Sequence, residues 1–292
     1  MMETYLYKVA GFRFSVQVPA GVDLEELLPS FRPFGEEEAG EELFRLEAYH
    51  ASLPEDASGE VWEEAMNDMG FTRLIRTENG YRMVIRYTEQ GAEHTLCANR
   101  RFTRAQAAID WNDPYAGQVL CSLLRMVYAQ AVVYHQAISI HASVVMLEGQ
   151  GFLFMGKSGT GKSTHSAWWQ KTFEGCELLN DDNPTIRLME DGVRVYGTPW
   201  SGKTPCYQNK SCLLAGMVRL RQAKVNRFME QKDIQAFITV LPGCSVIRKD
   251  AEQYDALCAT LVALTGQVKT GVLDCLPNKE AAQLCRSAFK QE

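Results

Sequence analysis

A short apolar segment, a glycine-rich turn and a helix start follow one another over residues 152–164, and this order constrains the fold more than any other feature. Gly156 and then Gly161, Lys162 and Ser163 match the pattern G-x-x-x-x-G-K-[ST]. That pattern requires a strand before it and a helix after it, and the flanking residues favour both. The sequence therefore predicts a phosphate-binding loop between a strand and a helix.

The residue types in this loop suit a nucleotide with its metal ion, so the predicted cofactors are ATP and Mg²⁺. Glycines let the backbone turn its N–H groups towards phosphate oxygens, and the following helix adds its positive N-terminal end. Lys162 is expected to reach the β- and γ-phosphates, and Ser163 to bind Mg²⁺. The predicted nucleotide-binding residues are Gly156, Ser158, Gly159, Thr160, Gly161, Lys162, Ser163 and Thr164.

Composition and charge argue against several classes of partner and site. The 292 residues carry a net charge of −6, and no run of Lys or Arg exceeds two, which argues against a nucleic-acid partner. We expect no membrane segment and a cytoplasmic location, since no apolar stretch approaches the ~20 residues that a bilayer requires and the N-terminus lacks a signal pattern. The nine cysteines contain no C-x-x-C pair, which predicts reduced core residues rather than a zinc site or disulfides.

The first third of the chain predicts a small, mostly antiparallel β domain. Residues 12–18 alternate apolar and polar side chains, and Asn79 with Gly80 is typical of a hairpin turn. Asp113 followed by Pro114 predicts the start of a long helix, whose apolar face should pack along the sheet of the nucleotide domain.

We therefore predict an α+β protein with a domain boundary just before this helix. Residues 1–112 would form the β domain, whose role is left open, and residues 113–292 the nucleotide-binding domain. No spacing of residues in the first domain indicates catalysis.

A pair of carboxylates follows the phosphate loop by about one helix. The strand-like residues 177–180 lead directly into Asp181 and Asp182. A carboxylate at such a strand end can hold Mg²⁺, and a second can accept the proton of an attacking hydroxyl. Because neighbouring side chains on a strand point to opposite sides, we expect Asp181 to act as the base and Asp182 to contact the metal. The alternative is a pair of turn residues.

Two further polar residues are candidates for the site. His141 lies in an extended segment, 138–147, just before the strand of the phosphate loop, and would otherwise be a buried strand histidine with one hydrogen bond. Lys203 ends a glycine-flanked loop that contains an aromatic residue, and would contact substrate or phosphate unless the loop is a plain surface turn.

Four segments, in this order and spacing, resemble the bacterial HPr kinase/phosphorylase-like family, which is related to ATP-dependent phosphoenolpyruvate carboxykinase. They are His141-Ala-Ser-Val-Val, the phosphate loop, Leu178-Leu-Asn-Asp-Asp182, and Gly-Thr-Pro-Trp-Ser-Gly at 197–202. The resemblance covers only the C-terminal part of the chain, and it implies a kinase domain with a mixed β core and flanking helices. It identifies His141 with the family's active-site histidine and the acidic pair with that of the family, in which one aspartate accepts a serine proton. Lys162 and Ser163 match its phosphate and magnesium residues.

The predicted function is an ATP- and Mg²⁺-dependent kinase that transfers the γ-phosphoryl group to a hydroxyl of a protein, a peptide or a small metabolite. The family's signature after the acidic pair is replaced here by residues 197–202, so HPr itself is a doubtful acceptor. A nucleotide-binding regulatory module without turnover remains an alternative. So does a carboxykinase-like enzyme, for which Lys203 and Arg219 or Arg221 would be the basic residues. Self-association into a homo-oligomer and a reverse phosphorylase activity are left open.

Overall fold

The computed structural model describes residues 1–50, 59–67, 70–202 and 204–290. Contacts divide the chain into two compact units, Met1–Tyr134 and His135–Glu292. Each unit combines helices with a large mixed sheet, which confirms the α+β prediction.

The first unit is built on an eight-stranded sheet. Its elements are β1 (Met2–Val9), β2 (Phe12–Pro19), α1 (Leu24–Leu27), a 3-10 helix (Pro29–Phe34), β3 (Glu42–Tyr49), β4 (Gly59–Asn67), β5 (Gly70–Thr77), β6 (Gly80–Arg86), β7 (His94–Asn99), β8 (Arg104–Ala108) and α2 (Ala116–Ala131). The strand order is β1-β2-β3-β8-β7-β6-β5-β4. Strand β3 is parallel to β2 and β8, and the other pairs are antiparallel, as the predicted mostly antiparallel domain requires.

Helix α2 packs inside the first unit. The ring of its Tyr128 lies 6.3 Å from that of Phe14, which stacks on Phe44 of the neighbouring strand. The contacts therefore end the first unit after this helix, whereas the sequence places the boundary before it. The helix also begins later than predicted, at Ala116, because Asp113 accepts hydrogen bonds from Tyr115 N (2.8 Å) and Ala116 N (2.9 Å) in a preceding turn.

Within the described ranges, one helical stretch, Ala116–His135, has the length and hydropathy to cross a membrane, although no such stretch was expected from the sequence. Of its most apolar window, 72% is buried within the protein. The core helix of a globular protein has the same length and composition, and the packing of α2 fits that description.

The second unit is built on a nine-stranded mixed sheet. A 3-10 helix (Val132–His135) spans the boundary at Tyr134. The elements of the second unit are β9 (Ala137–Ser139), β10 (Ala142–Leu147), β11 (Gln150–Met155), α3 (Lys162–Thr172), β12 (Glu177–Asp182), β13 (Thr185–Met189), β14 (Gly192–Tyr196), β15 (Ser211–Gln222), β16 (Arg227–Gln231), α4 (Asp233–Val240), a 3-10 helix (Leu241–Gly243), α5 (Ala251–Gln267), β17 (Lys269–Cys275) and α6 (Lys279–Ala288).

Two pairs of helices cover opposite faces of this second sheet. Val218 of β15 belongs to the core formed with α3 and α6, where Phe152 and Trp169 pack with their ring centroids 4.7 Å apart. The next residue, Arg219, points the other way and donates from Nε to the carbonyl of Thr239 in α4, 2.7 Å away. Helix α4 packs on α5. The sheet is therefore enclosed between α3 with α6 and α4 with α5.

The predicted strand over 138–147 is two strands in separate places. Strand β9 pairs with β13, while β10 pairs with β11 and β12. Between them, the N–H of Ile140 donates to the carbonyl of Pro184 (3.2 Å) and that of His141 to the carbonyl of Gly243 (2.8 Å). These bonds to distant segments break the strand at His141, which therefore begins the path into β10.

Candidate functional site

Three strand termini meet at one edge of the second sheet. Strand β10 lies between β11 and β12 and is antiparallel to both, so Ala142 at its start is opposite Met155 at the end of β11 and Asp182 at the end of β12. His141 precedes Ala142, and Gly156 follows Met155. The register alone therefore brings the histidine, the phosphate loop and the acidic pair together, although they lie far apart in the sequence.

The predicted phosphate loop turns through two glycines between β11 and α3. Gly159 and Gly161 adopt φ angles of +78° and +103°, in the region that favours glycine. Gly161 is the N-cap of α3 and provides no side-chain cap, so the first N–H groups of the helix are available to an anion. Gln222, which sequence reasoning missed, donates from Nε2 to the carbonyl of Gly159 at 3.2 Å and holds the loop from the end of β15.

Lys162, His141 and Asp182 form a continuous chain of contacts. Lys162 Nζ lies 2.8 Å from His141 Nε2 and donates to the carbonyl of Gly156 at 3.1 Å. His141 Nδ1 lies 3.2 Å from Asp182 Oδ1. When the lysine is protonated it can only donate, so Nε2 accepts and the imidazole proton lies on Nδ1, facing the carboxylate. The arrangement orients a neutral histidine between a cation and an anion.

The electrostatics of Lys162 reflect its partial burial. Desolvation lowers the pKa of its ammonium below the ordinary value, and the nearby charges of Asp182 and Asp181 act in the opposite direction. A cation held this way is desolvated before a ligand arrives, so its attraction to phosphate is screened less than that of a surface lysine.

Asp181 has surroundings unlike those of its neighbour. Its residue is 6% exposed, and its Oδ2 has no hydrogen-bond partner among the described residues. It lies opposite Ser143, whose hydroxyl is 2.7 Å from that of Ser166 in α3. The Asp181 side chain therefore lies on the face that carries α3, while Asp182 faces the other side. A buried carboxylate oxygen without a partner favours a cation or a proton.

These residues fit a magnesium ion that is shared with a nucleotide. No group of three His, Cys, Asp or Glu side chains able to hold a metal occurs in the described part of the chain. Mg²⁺ in kinase sites is bound by one or two carboxylates, phosphate oxygens and water, so such a group is not required. Ser163, in the first turn of α3, is exposed, and Asp181 offers the unpaired oxygen on the same face of the sheet.

Asn180 is a site residue that sequence reasoning missed. It is fully buried, its Oδ1 accepts from the N–H of Asp182 at 3.1 Å, and its Nδ2 donates to residues 198 and 200. The signal available in the sequence was an amide directly before an acidic pair, but its partners lie 18 and 20 residues away and could not be inferred from spacing.

Of the remaining predicted site residues, three lie in or beside the loop and the fourth lies outside the described residues. Ser158 and Thr164 are exposed beside the loop, and Thr160 donates from its N–H to the carbonyl of Lys157 at 3.1 Å in the loop turn. Lys203 lies outside the described residues, so its contact with substrate stays a prediction.

The two arginines nominated for a carboxykinase-like site are bound elsewhere. Arg219 donates to a carbonyl of α4, and Arg221 Nε pairs with Asp274 Oδ1 at 2.7 Å. They therefore do not provide the cluster of converging basic residues that a carboxykinase would need.

Comparison with solved structures gives a partial similarity to the Hpr(Ser) kinase/phosphatase from Coxiella burnetii. The TM-score is 0.31 and the identity 10%, over 51% of this chain and 86% of that chain. No family model matches the sequence, and no curated protein matches it. At this level of similarity neither a family nor an activity is shown, and the chemistry has to be inferred from the site.

Proposed function

We propose that this chain is an ATP- and Mg²⁺-dependent phosphotransferase with an HPr kinase-like second unit, which passes the γ-phosphoryl group to a hydroxyl. The observation that carries the proposal is the chain of contacts from Lys162 through His141 to Asp182, at the edge where the phosphate loop begins. A glycine-rich turn between strand and helix does not require that chain, whereas a phosphoryl-transfer site requires a cation, a proton acceptor and an anion-binding loop together.

The loop amides, the first N–H groups of α3 and the ammonium of Lys162 bind the phosphates. In the structure Lys162 Nζ bonds to the carbonyl of Gly156 and to His141 Nε2. Phosphate oxygens are stronger partners for the ammonium than either neutral acceptor. On binding, the lysine turns to the phosphates and releases Nε2 of the histidine, which can then accept a proton.

The two aspartates take separate tasks, and the geometry favours the reverse of the division expected from the sequence. Asp182, paired with His141, suits the role of proton acceptor. The hydroxyl oxygen of the acceptor attacks the γ-phosphorus, and the bond between that phosphorus and the ADP oxygen breaks. The hydroxyl proton passes to the His141–Asp182 pair. Asp181, whose buried Oδ2 has no hydrogen-bond partner among the described residues, suits the metal together with Ser163. Mg²⁺ would neutralise charge on the β- and γ-phosphates when bound.

The proposal is tested by nucleotide binding and turnover in one series. ATP with Mg²⁺ should raise the melting temperature, because a ligand that binds only the folded state stabilises it by mass action. Lys162→Ala should lose most of that shift and most ADP release. Lys171→Ala, at the exposed end of the same helix, is the matched control and should behave like the unchanged chain. Equal binding of ATP by Lys162→Ala, measured by calorimetry, would refute the phosphate-loop site.

A further inference from the structure

The amide side chain of Asn180 is fully buried and has five polar partners within hydrogen-bonding distance, three of which share its two N–H groups. Its Nδ2 lies 3.2 Å from the carbonyl and 3.2 Å from the hydroxyl of Thr198, and 3.1 Å from the carbonyl of Trp200. Its Oδ1 accepts from the N–H groups of Asp182 (3.1 Å) and Asn183 (3.0 Å). A buried amide satisfied on both sides fixes the two segments that it joins.

Those two segments are the end of β12 and residues 197–202, here called the edge segment. Thr198 returns a bond from its hydroxyl to the carbonyl of Asn183 at 2.8 Å, and the N–H of Gly202 donates to the carbonyl of Asp181 at 3.0 Å. The edge segment therefore binds the backbone on both sides of Asp182, at Asp181 in β12 and at Asn183 just after the strand, and Ser201 is bridged to Asp182 itself.

The approach of the two segments also depends on glycine. A Cβ on Gly197 would lie 2.0 Å from the carbonyl oxygen of Gln208 and 3.0 Å from that of Leu179, and one on Gly202 would lie 2.8 Å from that of Asp181. These are backbone atoms of adjoining segments, which cannot move aside as a flexible side chain would. Glycines at both ends of the edge segment thus permit the contact that Asn180 fixes.

Asp182 is the last residue of its strand, and the chain turns away at Asn183 towards β13. A terminal strand residue frays unless its backbone is held. Its carboxylate has to stay 3.2 Å from His141 Nδ1, and a displacement of about 1 Å of a reacting group can cost roughly 10²-fold in rate.

We propose that Asn180 is a positioning residue, which holds the backbone of Asp182 so that its carboxylate faces His141. This inference rests on the proposed phosphotransferase function. It deepens that function by making the edge segment part of the catalytic framework, although Asn180 itself need not touch nucleotide or acceptor.

The test compares Asn180→Ala with a pair of substitutions at Thr198 in the full-length chain. Thr198→Val keeps the shape but removes the hydroxyl that bonds Asn180 and Asn183, and Thr198→Ser keeps the hydroxyl. Thr260→Val is the matched control, since it removes a similarly buried hydroxyl that donates to the carbonyl of Ala256 at 3.0 Å in α5. If Asn180→Ala fails to fold, the two Thr198 variants still test the contact between Asn180 and residues 197–202.

Two readouts are taken on folded protein. Amide hydrogen exchange at Asp182 and Asn183 should speed up by at least tenfold in Asn180→Ala and Thr198→Val, and stay slow in Thr198→Ser and Thr260→Val. Release of ADP at saturating Mg²⁺ and ATP should fall by about 10²-fold in the same two variants, with KM for ATP changed by less than about threefold.

Two outcomes would overturn the positioning role. In the first, amide exchange speeds up in the variants but kcat is unchanged, which would mean that catalysis does not depend on the restraint of the Asp182 backbone by Asn180. In the second, kcat falls no more in Thr198→Val than in Thr260→Val, so the effect is one of stability alone. If the unchanged chain shows no phosphoryl transfer to any hydroxyl or to water, the proposed function fails separately. The exchange data then decide whether Asn180 holds the backbone of Asp182.

Discussion

Asp181 and Asp182 are adjacent in the sequence, but the protein surrounds them differently. Asp182 is bound to His141 on one side of the sheet, and its neighbour Asn183 donates to its second oxygen. Asp181 is buried on the α3 side with an oxygen that lacks a partner in the described residues. An isosteric change of each to Asn removes the negative charge and basicity while keeping the shape, so it separates the two tasks.

Asp182→Asn should bind ATP with Mg²⁺ as tightly as the unchanged chain while phosphoryl transfer falls by roughly 10²–10⁴, the usual contribution of a positioned base. Asp181→Asn should lose the part of the ATP affinity that depends on Mg²⁺. Calorimetry with and without Mg²⁺, beside ADP release with hydroxyl acceptors supplied, measures both. Asp191→Asn, in an exposed hairpin turn, is the control.

The opposite pattern would restore the sequence-based division, with Asp181 as the base. If both variants bind and turn over normally, the pair serves only as turn residues. The regulatory-module reading would then be the better one.

At this scale the sequence nominates the loop and the acidic pair from local patterns, and His141 from the family resemblance, while their roles stay predictions. The order of contacts, lysine to histidine to aspartate, depends on the register of β10 between β11 and β12, which no local pattern encodes.

Helix α3 carries a second histidine whose environment predicts a pH dependence. His165 is buried against Phe154, its Nε2 accepts from Trp169 Nε1 at 3.1 Å, and burial lowers the pKa of His165 to about 4. Between about pH 4 and pH 6.5, His165 is therefore protonated in the unfolded chain but neutral in the folded chain. This contribution to stability is intact above pH 6.5 and is lost as the pH falls towards 4.

We expect the free energy of unfolding to fall by up to about 3 kcal/mol between pH 6.5 and pH 4 from this residue alone. His165→Gln, which keeps an acceptor for Trp169, should flatten that part of the profile. Urea unfolding at several pH values, without nucleotide or metal, measures it, and His135→Gln at an exposed position is the control. A variant profile as steep as that of the unchanged chain would contradict the prediction.

Two glycines of the second unit, Gly197 beside β12 and Gly266 in α5, have opposite surroundings, and this gives a paired prediction. Gly197→Ala should lower the melting temperature and loosen the edge segment, since backbone carbonyl oxygens occupy the space that a Cβ needs. Gly266→Ala, in the last turn of α5 with nothing within 4 Å of the added carbon, should stabilise the chain by about 0.5–1 kcal/mol. Thermal unfolding of both variants checks the pair, and equal shifts would contradict it.

Two strands that the sequence did not predict, β4 and β8, depend on distant partners. Strand β4 is exposed along most of its length, so it lacks the alternation that marks a half-buried strand. Strand β8 is rich in alanine, which has little β propensity, and forms by parallel pairing with β3. The hairpin β5–β6 was predicted because its turn at Asn79 and Gly80 is encoded locally.

At the scale of the whole molecule, the division into two units changes what a separable nucleotide-binding fragment should contain. Helix α2 buries most of its residues, among them Leu120, Leu123 and Val127. Its main contacts lie with α1, β3 and β7 of the first unit. The phosphate loop, His141 and both aspartates all lie after Tyr134. A fragment should therefore begin after this helix rather than before it.

We predict that residues 135–292 fold alone and bind ATP with Mg²⁺ with an affinity within a few-fold of the whole chain. A fragment of residues 113–292, which follows the sequence-based boundary, carries α2 without the sheet that buries it, and its exposed apolar face should cause association. Gel filtration and calorimetry on the two fragments compare them directly. If the shorter fragment is folded by circular dichroism but does not bind ATP, residues before His135 contribute to the nucleotide site. A monomeric, binding-competent 113–292 fragment would instead favour the earlier boundary, because α2 would then be stable without β3 and β7.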